Sequence, residues 1–214
     1  MRSLLRPSDG QLIEYLMQAA ELPLNGSSTS EDLLSIRHSV PLGQGATAYR
    51  RAVAHLLNWA FIPTDLVEFF WAQRPLIPGT TVATGMWVRR FYWVNPCRIT
   101  SVSVEPNVAA IDDPSLTSES LGDARARVVW HTVEGHSLAG EQAFTVIHSG
   151  ETGEVEFEVT GLAEPVAWLR MHSKRIHALR HKFAERSCHS MQRAMTGPPP
   201  CKPPALSKSA SRGV

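Results

Sequence analysis

Trp168-Leu169-Arg170-Met171-His172-Ser173-Lys174-Arg175-Ile176-His177-Ala178-Leu179-Arg180-His181-Lys182-Phe183-Ala184-Glu185-Arg186-Ser187-Cys188-His189-Ser190-Met191-Gln192-Arg193-Ala194-Met195 is the stretch that decides the fold. Leu169, His172, Ile176, Leu179, Phe183, Ser187, Met191 and Met195 recur at steps of three and four, which predicts one helix of about seven turns with a single apolar stripe. A stripe of that length has to lie on something. Gly197-Pro198-Pro199-Pro200 stops it, and the remaining Pro-, Ser- and Lys-rich residues have too little apolar surface to offset the entropy of ordering them.

What the helix lies on is written just before it. In Glu154-Val155-Glu156-Phe157-Glu158-Val159 acids take one face and apolar residues the other, the pattern of a strand with one wet side. Working back, short β-rich runs are predicted at 80–88, 90–94, 97–105, 108–111, 125–133, 141–148 and 154–160. Breaks at Asn95-Pro96, Pro106-Asn107, 135–140 and 149–153 suit short connections, hence an antiparallel sheet. The break at 112–123 is longer and polar.

Further upstream, Ile36, His38, Val40 and Leu42 alternate as a strand until Gly43 and Gly45. Tyr49, Val53, Leu56, Leu57 and Ala60 predict a helix over 46–61. Asp65 and Glu68 have capping-box spacing before Phe69-Phe70-Trp71, which predicts a second short helix. Ser8-Asp9 caps an amphipathic helix that ends before Pro23, and the polar run 25–30 links it to the rest. The expected organisation is an N-terminal helix with a polar linker over 1–35, one domain over 36–196, and a disordered tail over 197–214.

Strand, two helices, about six antiparallel strands and a long final helix is the order of the helix-grip fold of START and Bet v 1-like proteins. The expected class is therefore α+β, with a curved antiparallel sheet packed on a long C-terminal helix. Folds of this kind tend to leave a pocket beneath the helix. Aromatic and apolar residues placed to line it are Trp87, Phe91, Trp93, Trp130, Phe144 and Phe157 from the strands, with Ile176, Leu179 and Phe183 from the helix. The same residues could equally pack as a solid core.

The 214 residues include 21 Lys+Arg and 20 Asp+Glu, with 43% hydrophobic residues, which excludes a disordered acidic chain and a uniformly basic nucleic-acid binder. The charge is unevenly placed. Residues 1–167 carry eleven Lys and Arg against nineteen Asp and Glu, whereas 168–195 carry seven against Glu185 alone. A basic helix can meet a membrane surface or an acidic partner, or it can pack on the acidic sheet of its own chain. Cys97, Cys188 and Cys201 form neither a disulfide framework nor a CxxC zinc pair, and no apolar run approaches the roughly 20 residues of a membrane span. Met1 to Pro7 is too short and Arg-rich for a secretory signal. These features point to an intracellular, cytoplasmic protein with no obligate protein partner.

Chemistry is thinly written. His136 and Glu141, bracketed by Gly135 and Gly140, could form an oriented general base, but two glycines five apart also describe a hairpin turn needing positive φ. His177 and His181 stand at i, i+4, yet no carboxylate joins them and the neighbouring cations repel a metal, so neither metal nor cofactor is expected. GxSxG, P-loop and Rossmann glycine patterns are lacking.

Five landmarks carry a resemblance: Arg6-Pro7-Ser8, Leu22-Pro23-Leu24, Arg37-His38-Ser39-Val40-Pro41-Leu42-Gly43-Gln44-Gly45, Asn95-Pro96-Cys97-Arg98-Ile99, and Glu134-Gly135-His136-Ser137-Leu138-Ala139-Gly140-Glu141-Gln142-Ala143-Phe144. The chain resembles, over about 6–195, the domain-of-unknown-function family numbered 1990, an uncharacterised family of bacteria and plants. The resemblance implies a single START-like domain and no particular activity. The family usually has Tyr-Gly-Thr-Leu where Trp130-His131-Thr132-Val133 stands, and Gly-Glu-Glu where Gly140-Glu141-Gln142 stands, so a paired-acid mechanism loses its second carboxylate here. The leading expectation is a binding module for a small apolar or lipid-like ligand. The alternatives are a cyclase or hydrolase using His136, Glu141 or His131, and a membrane-associated or protein-interaction module using the basic helix.

Overall fold

The computed structural model describes residues 1–26, 34–71, 76–106 and 117–197. Its elements are β1 Arg2–Ser3, α1 Asp9–Glu21, β2 Leu34–Gln44, α2 Gly45–Leu57, β3 Glu68–Trp71, β4 Thr81–Val88, β5 Phe91–Glu105, α3 Ser118–Leu121, β6 Ala124–Thr132, β7 Leu138–His148, β8 Glu154–Pro165, a 3-10 turn Ala167–His172 and α4 Ser173–Thr196. Among the described residues every strand pairing is antiparallel, in the order β2-β8-β7-β6-β5-β4-β3, with β1 beside the free half of β5. Register shifts at Pro41/Gly43 and Ile99/Ser101 mark β-bulges, which bend strands. The curved sheet with α4 packed against it is the helix-grip architecture.

The core forms where period two on the strands meets period 3.6 on the helices. Ile36, Val82, Ile99, Val128, Phe144, Val146, Phe157 and Val159 face inward against Tyr49, Val53 and Leu56 of α2 and Ala184, Cys188 and Met191 of α4. On the opposite face α1 lays Leu12 and Leu16 on Phe70, Ala83, Tyr92 and Val94. That helix starts where Ser8 and Gln11 complete a reciprocal capping box.

Three expectations are corrected. The predicted short helix after Asp65 is a turn followed by strand β3. Its aromatics alternate between faces, Phe69 and Trp71 joining the inner core and Phe70 the α1 side, and burial on both faces overrides the capping signal. The predicted break at Asn95-Pro96 is absent because β5 runs through it. The Pro96 carbonyl points away from β4 and accepts from the Val133 amide, so the missing Pro N–H forfeits no β4 bond. The C-terminal helix is in two parts, with 167–172 wound as a 3-10 turn before the α-helix begins at Ser173. The expected strand over 108–111, most of the polar link and the tail beyond 197 lie outside the described residues.

Candidate functional site

The space under the helix is narrow. Phe61, which follows α2, stacks on Phe144 at 4.1 Å and meets Phe157 at 6.0 Å, while Trp59 sits over Phe69 at 4.8 Å. Phe144 and Phe157 therefore belong to a filled core rather than to a pocket wall. Trp87 is 53% exposed on the outer face, edge-on to Tyr92. Phe91 lies under the Arg2 guanidinium at 4.6 Å and does not line the inner cavity.

Toward the other end a cavity of about 130 Å³ remains. Its floor is set by cross-strand register, with Thr84 opposite Asn95, Cys97 opposite Thr132, and Trp130 opposite Gln142. Ile176, Leu179, Arg180 and Phe183, one face of α4 at steps of three and four, form its roof. Four expected residues, Trp130, Ile176, Leu179 and Phe183, thus converge on it, and His136 joins its wall. Trp93 lines instead a neighbouring cleft of about 670 Å³, where it stacks on Trp168 at 5.6 Å. Asn95, His136 and Ser137 border both spaces.

His136 and Glu141 do not act together. The Leu138 amide donates to His136 Nδ1 at 2.8 Å, which occupies that lone pair. Burial, followed by the charges of the Met1 ammonium and Arg180, pushes the imidazole down to about 3. The Glu141 carboxylate is directed to the outer face, 3.6 Å from His131 of the paired strand. A carboxylate-backed general base at these two residues is not assembled.

The glycines divide the work. Gly135 takes φ 87° in the β6–β7 turn. Gly140 lies within β7, where a Cβ would fall 2.1 Å from the Leu162 carbonyl oxygen.

Three further histidines, His38, His177 and His181, sit at the seam of β2 and α4. His38 Nε2 is 2.8 Å from His181 Nδ1, and His181 Nε2 is 3.0 Å from His177 Nε2, a ring-to-ring chain. Among the described residues no group of three or more His, Cys, Asp or Glu is placed to hold a metal. The basic run is partly absorbed by the fold, since Arg170 pairs with Glu164 at 3.7 Å, Arg186 with Asp65 at 3.2 Å, and Arg180 is buried. No helix among the described residues is long and apolar enough to cross a membrane.

The family model of the domain of unknown function DUF1990 matches residues 20–190, most of the chain and every element from the end of α1 into α4. The chain belongs to the DUF1990 family. The chain is also similar to a UPF0548 protein of Dictyostelium discoideum, 23% identical over 168 residues that cover 73% of this chain and 70% of the relative. A UPF0548 protein of Arabidopsis thaliana is 28% identical over 167 residues, 77% of this chain and 75% of the relative. Among solved structures, a hypothetical protein of Helicobacter pylori superposes with a TM-score of 0.52 at 11% identity, covering 78% of this chain and 89% of that one, a likeness of fold alone.

In this DUF1990 chain the landmark residues have physical duties. Arg37 pairs with Glu158 at 2.6 Å across β2 and β8, and the Gly45 amide donates to the Gly153 carbonyl at 2.8 Å. Asn95 Oδ1 accepts from the Ser137 hydroxyl at 3.0 Å. Arg98 donates to the carbonyls of Ala19, Ala20 and Leu22 at 3.1, 2.7 and 2.7 Å, closing the end of α1. The polar wall residues Asn95, Thr132, Gln142 and Arg180 escape an apolar-pattern search. Arg180 had one visible signal, its place within the Ile176–Phe183 stripe, which its membership of a basic run obscured.

Proposed function

We propose that this protein is a binding module for a small apolar or lipid-like molecule held between the sheet and α4. The observation that carries the reading is the 130 Å³ space walled by Trp130, Ile176, Leu179 and Phe183, beside the aromatic packing of Phe61 on Phe144 and Phe157. An apolar cavity of about 150 Å³ takes up benzene, so the inner space suits a ring or a short chain. The adjoining cleft, about 670 Å³, shares its border residues and gives room for the rest of a larger ligand. The family membership and the fold are compatible with such a role and name no ligand.

The test is titration with Nile red, an environment-sensitive apolar dye, alongside native mass spectrometry for a co-purified molecule. Saturable binding of one dye per chain is expected, and Leu179→Trp, which fills the space, should abolish it while the melting midpoint stays within a few degrees. A parent protein without saturable dye binding, and carrying no co-purified molecule, would remove the reading.

A further inference from the structure

Arg180 is a cation placed inside the fold with no anion paired to it among the described residues. It is 7% exposed, on the face of α4 that roofs the inner cavity, and it gives one N–H bond to the Leu34 carbonyl at 2.5 Å. No carboxylate among the described residues pairs with it. The acid in the cavity wall, Glu141, is engaged by His131 on the outer face. His136, on the same wall, is held neutral. A guanidinium has five N–H donors in a planar fork, and a buried charge left with one carbonyl partner is a costly arrangement.

A second donor lies nearby. Gln142, opposite Trp130 in the cavity floor, has its amide Nε2 buried without an acceptor. The wall thus supplies a positive charge and an unused amide donor beside apolar surface from Val67, Met86, Ile176 and Phe183.

We infer that the inner cavity takes a small monocarboxylic acid, its carboxylate on the Arg180 fork and its apolar body against Trp130, Ile176 and Phe183. This rests on the binding reading above and names the ligand class. A carboxylate is an acceptor-only, planar, singly charged group that matches the fork bidentately. A phosphate monoester is disfavoured because the second charge finds no further cation in the cavity wall.

The experiment compares benzoate with nitrobenzene, its neutral isostere, on the full chain at pH 7, following the Ile and Leu methyl resonances and the arginine side-chain Nε–H signals. Benzoate is expected to bind saturably at least ten times more tightly than nitrobenzene, to move the Ile176 and Leu179 methyls, and to shift the Arg180 signal. Arg180→Met is expected to bring the two affinities within twofold. Equal affinities in the parent overturn the carboxylate inference while leaving the binding reading intact. Saturable binding of neither overturns both. Should Arg180→Met fail to fold, the parent still decides, because benzoate saturation with an unmoved Arg180 signal refutes the inference.

Discussion

Phe61 stacks on Phe144 with ring centroids 4.1 Å apart and 29° between their planes, a contact between the loop after α2 and the centre of β7. It packs this end of the concavity, while the space of about 130 Å³ lies toward Arg180. Phe144→Ala should therefore cost about 3–5 kcal/mol, the range for a large core truncation, and should enlarge the dye-accessible volume. Thermal denaturation and a Nile red titration check both parts. A melting midpoint unchanged from the parent would show that this end is not packed.

Two methionines of the C-terminal stretch should behave oppositely. Met191 is fully buried under the sheet, so Met191→Ala should cost about 2–5 kcal/mol by urea denaturation. Met171, 83% exposed on the 3-10 turn, should tolerate the same change to within about 0.5 kcal/mol. Equal effects would mean that α4 does not grip the sheet.

Arg98 ties β5 to the end of α1 through three carbonyls. Arg98→Met keeps most of the stem and removes the donors, and is expected to cost about 1.5–3 kcal/mol, the range for hydrogen bonds to a charged group. Hydrogen exchange should then accelerate in α1 before it does in α4. Uniform loosening of both helices would contradict this assignment.

The pH dependence of stability has a definite sign at His136. Its folded value, about 3, lies below the ordinary 6.5, so between these values the unfolded chain binds a proton that the folded chain refuses. Stability is fully present above about pH 6.5 and falls as the pH drops toward 3. The loss attributable to this group by pH 4 should be roughly 2 kcal/mol, allowing for the partial exposure of the residue. Asn retains an acceptor for the Leu138 amide without the titration, so His136→Asn should flatten this part of a urea-denaturation series from pH 7 to 4. An identical slope in parent and variant would assign the dependence to other groups.

Gly140→Ala is predicted to destabilise by about 1–3 kcal/mol or more, since its Cβ would sit 2.1 Å from the Leu162 carbonyl and 2.5 Å from Ala163 Cα, both backbone atoms. Gly153→Ala meets no neighbour within 4 Å and carries only the strain of its φ of 70°, which makes it the milder partner in the same melting comparison.

Local sequence carried much of this site. Ile176, Leu179 and Phe183 were legible as a roof because helical spacing places them on one face, and Trp130 as floor because its strand alternates. Phe144 and Phe157 satisfied the same rules and lie elsewhere on the inner face, because alternation assigns a face and says nothing about how far along it the free space extends, while Trp87 falls on the outer face, since alternation alone does not say which face of a strand turns inward. The helix expected over 65–71 shows the converse case, in which a capping pattern yielded to aromatic burial on both faces of an edge strand.

The sequence by itself determined most of the order of elements, the antiparallel sheet and the long terminal helix, because hydrophobic period, caps and turn residues act over a few neighbouring positions. The tertiary structure alone decided where the core is solid and where it is open, since that depends on Phe61 meeting Phe144 and Phe157 from strands 83 and 96 residues further along the chain. It also decided that Arg180, which helical spacing puts on the roof face, stands there with no carboxylate among the described residues paired to it, a fact about distance that no local pattern encodes.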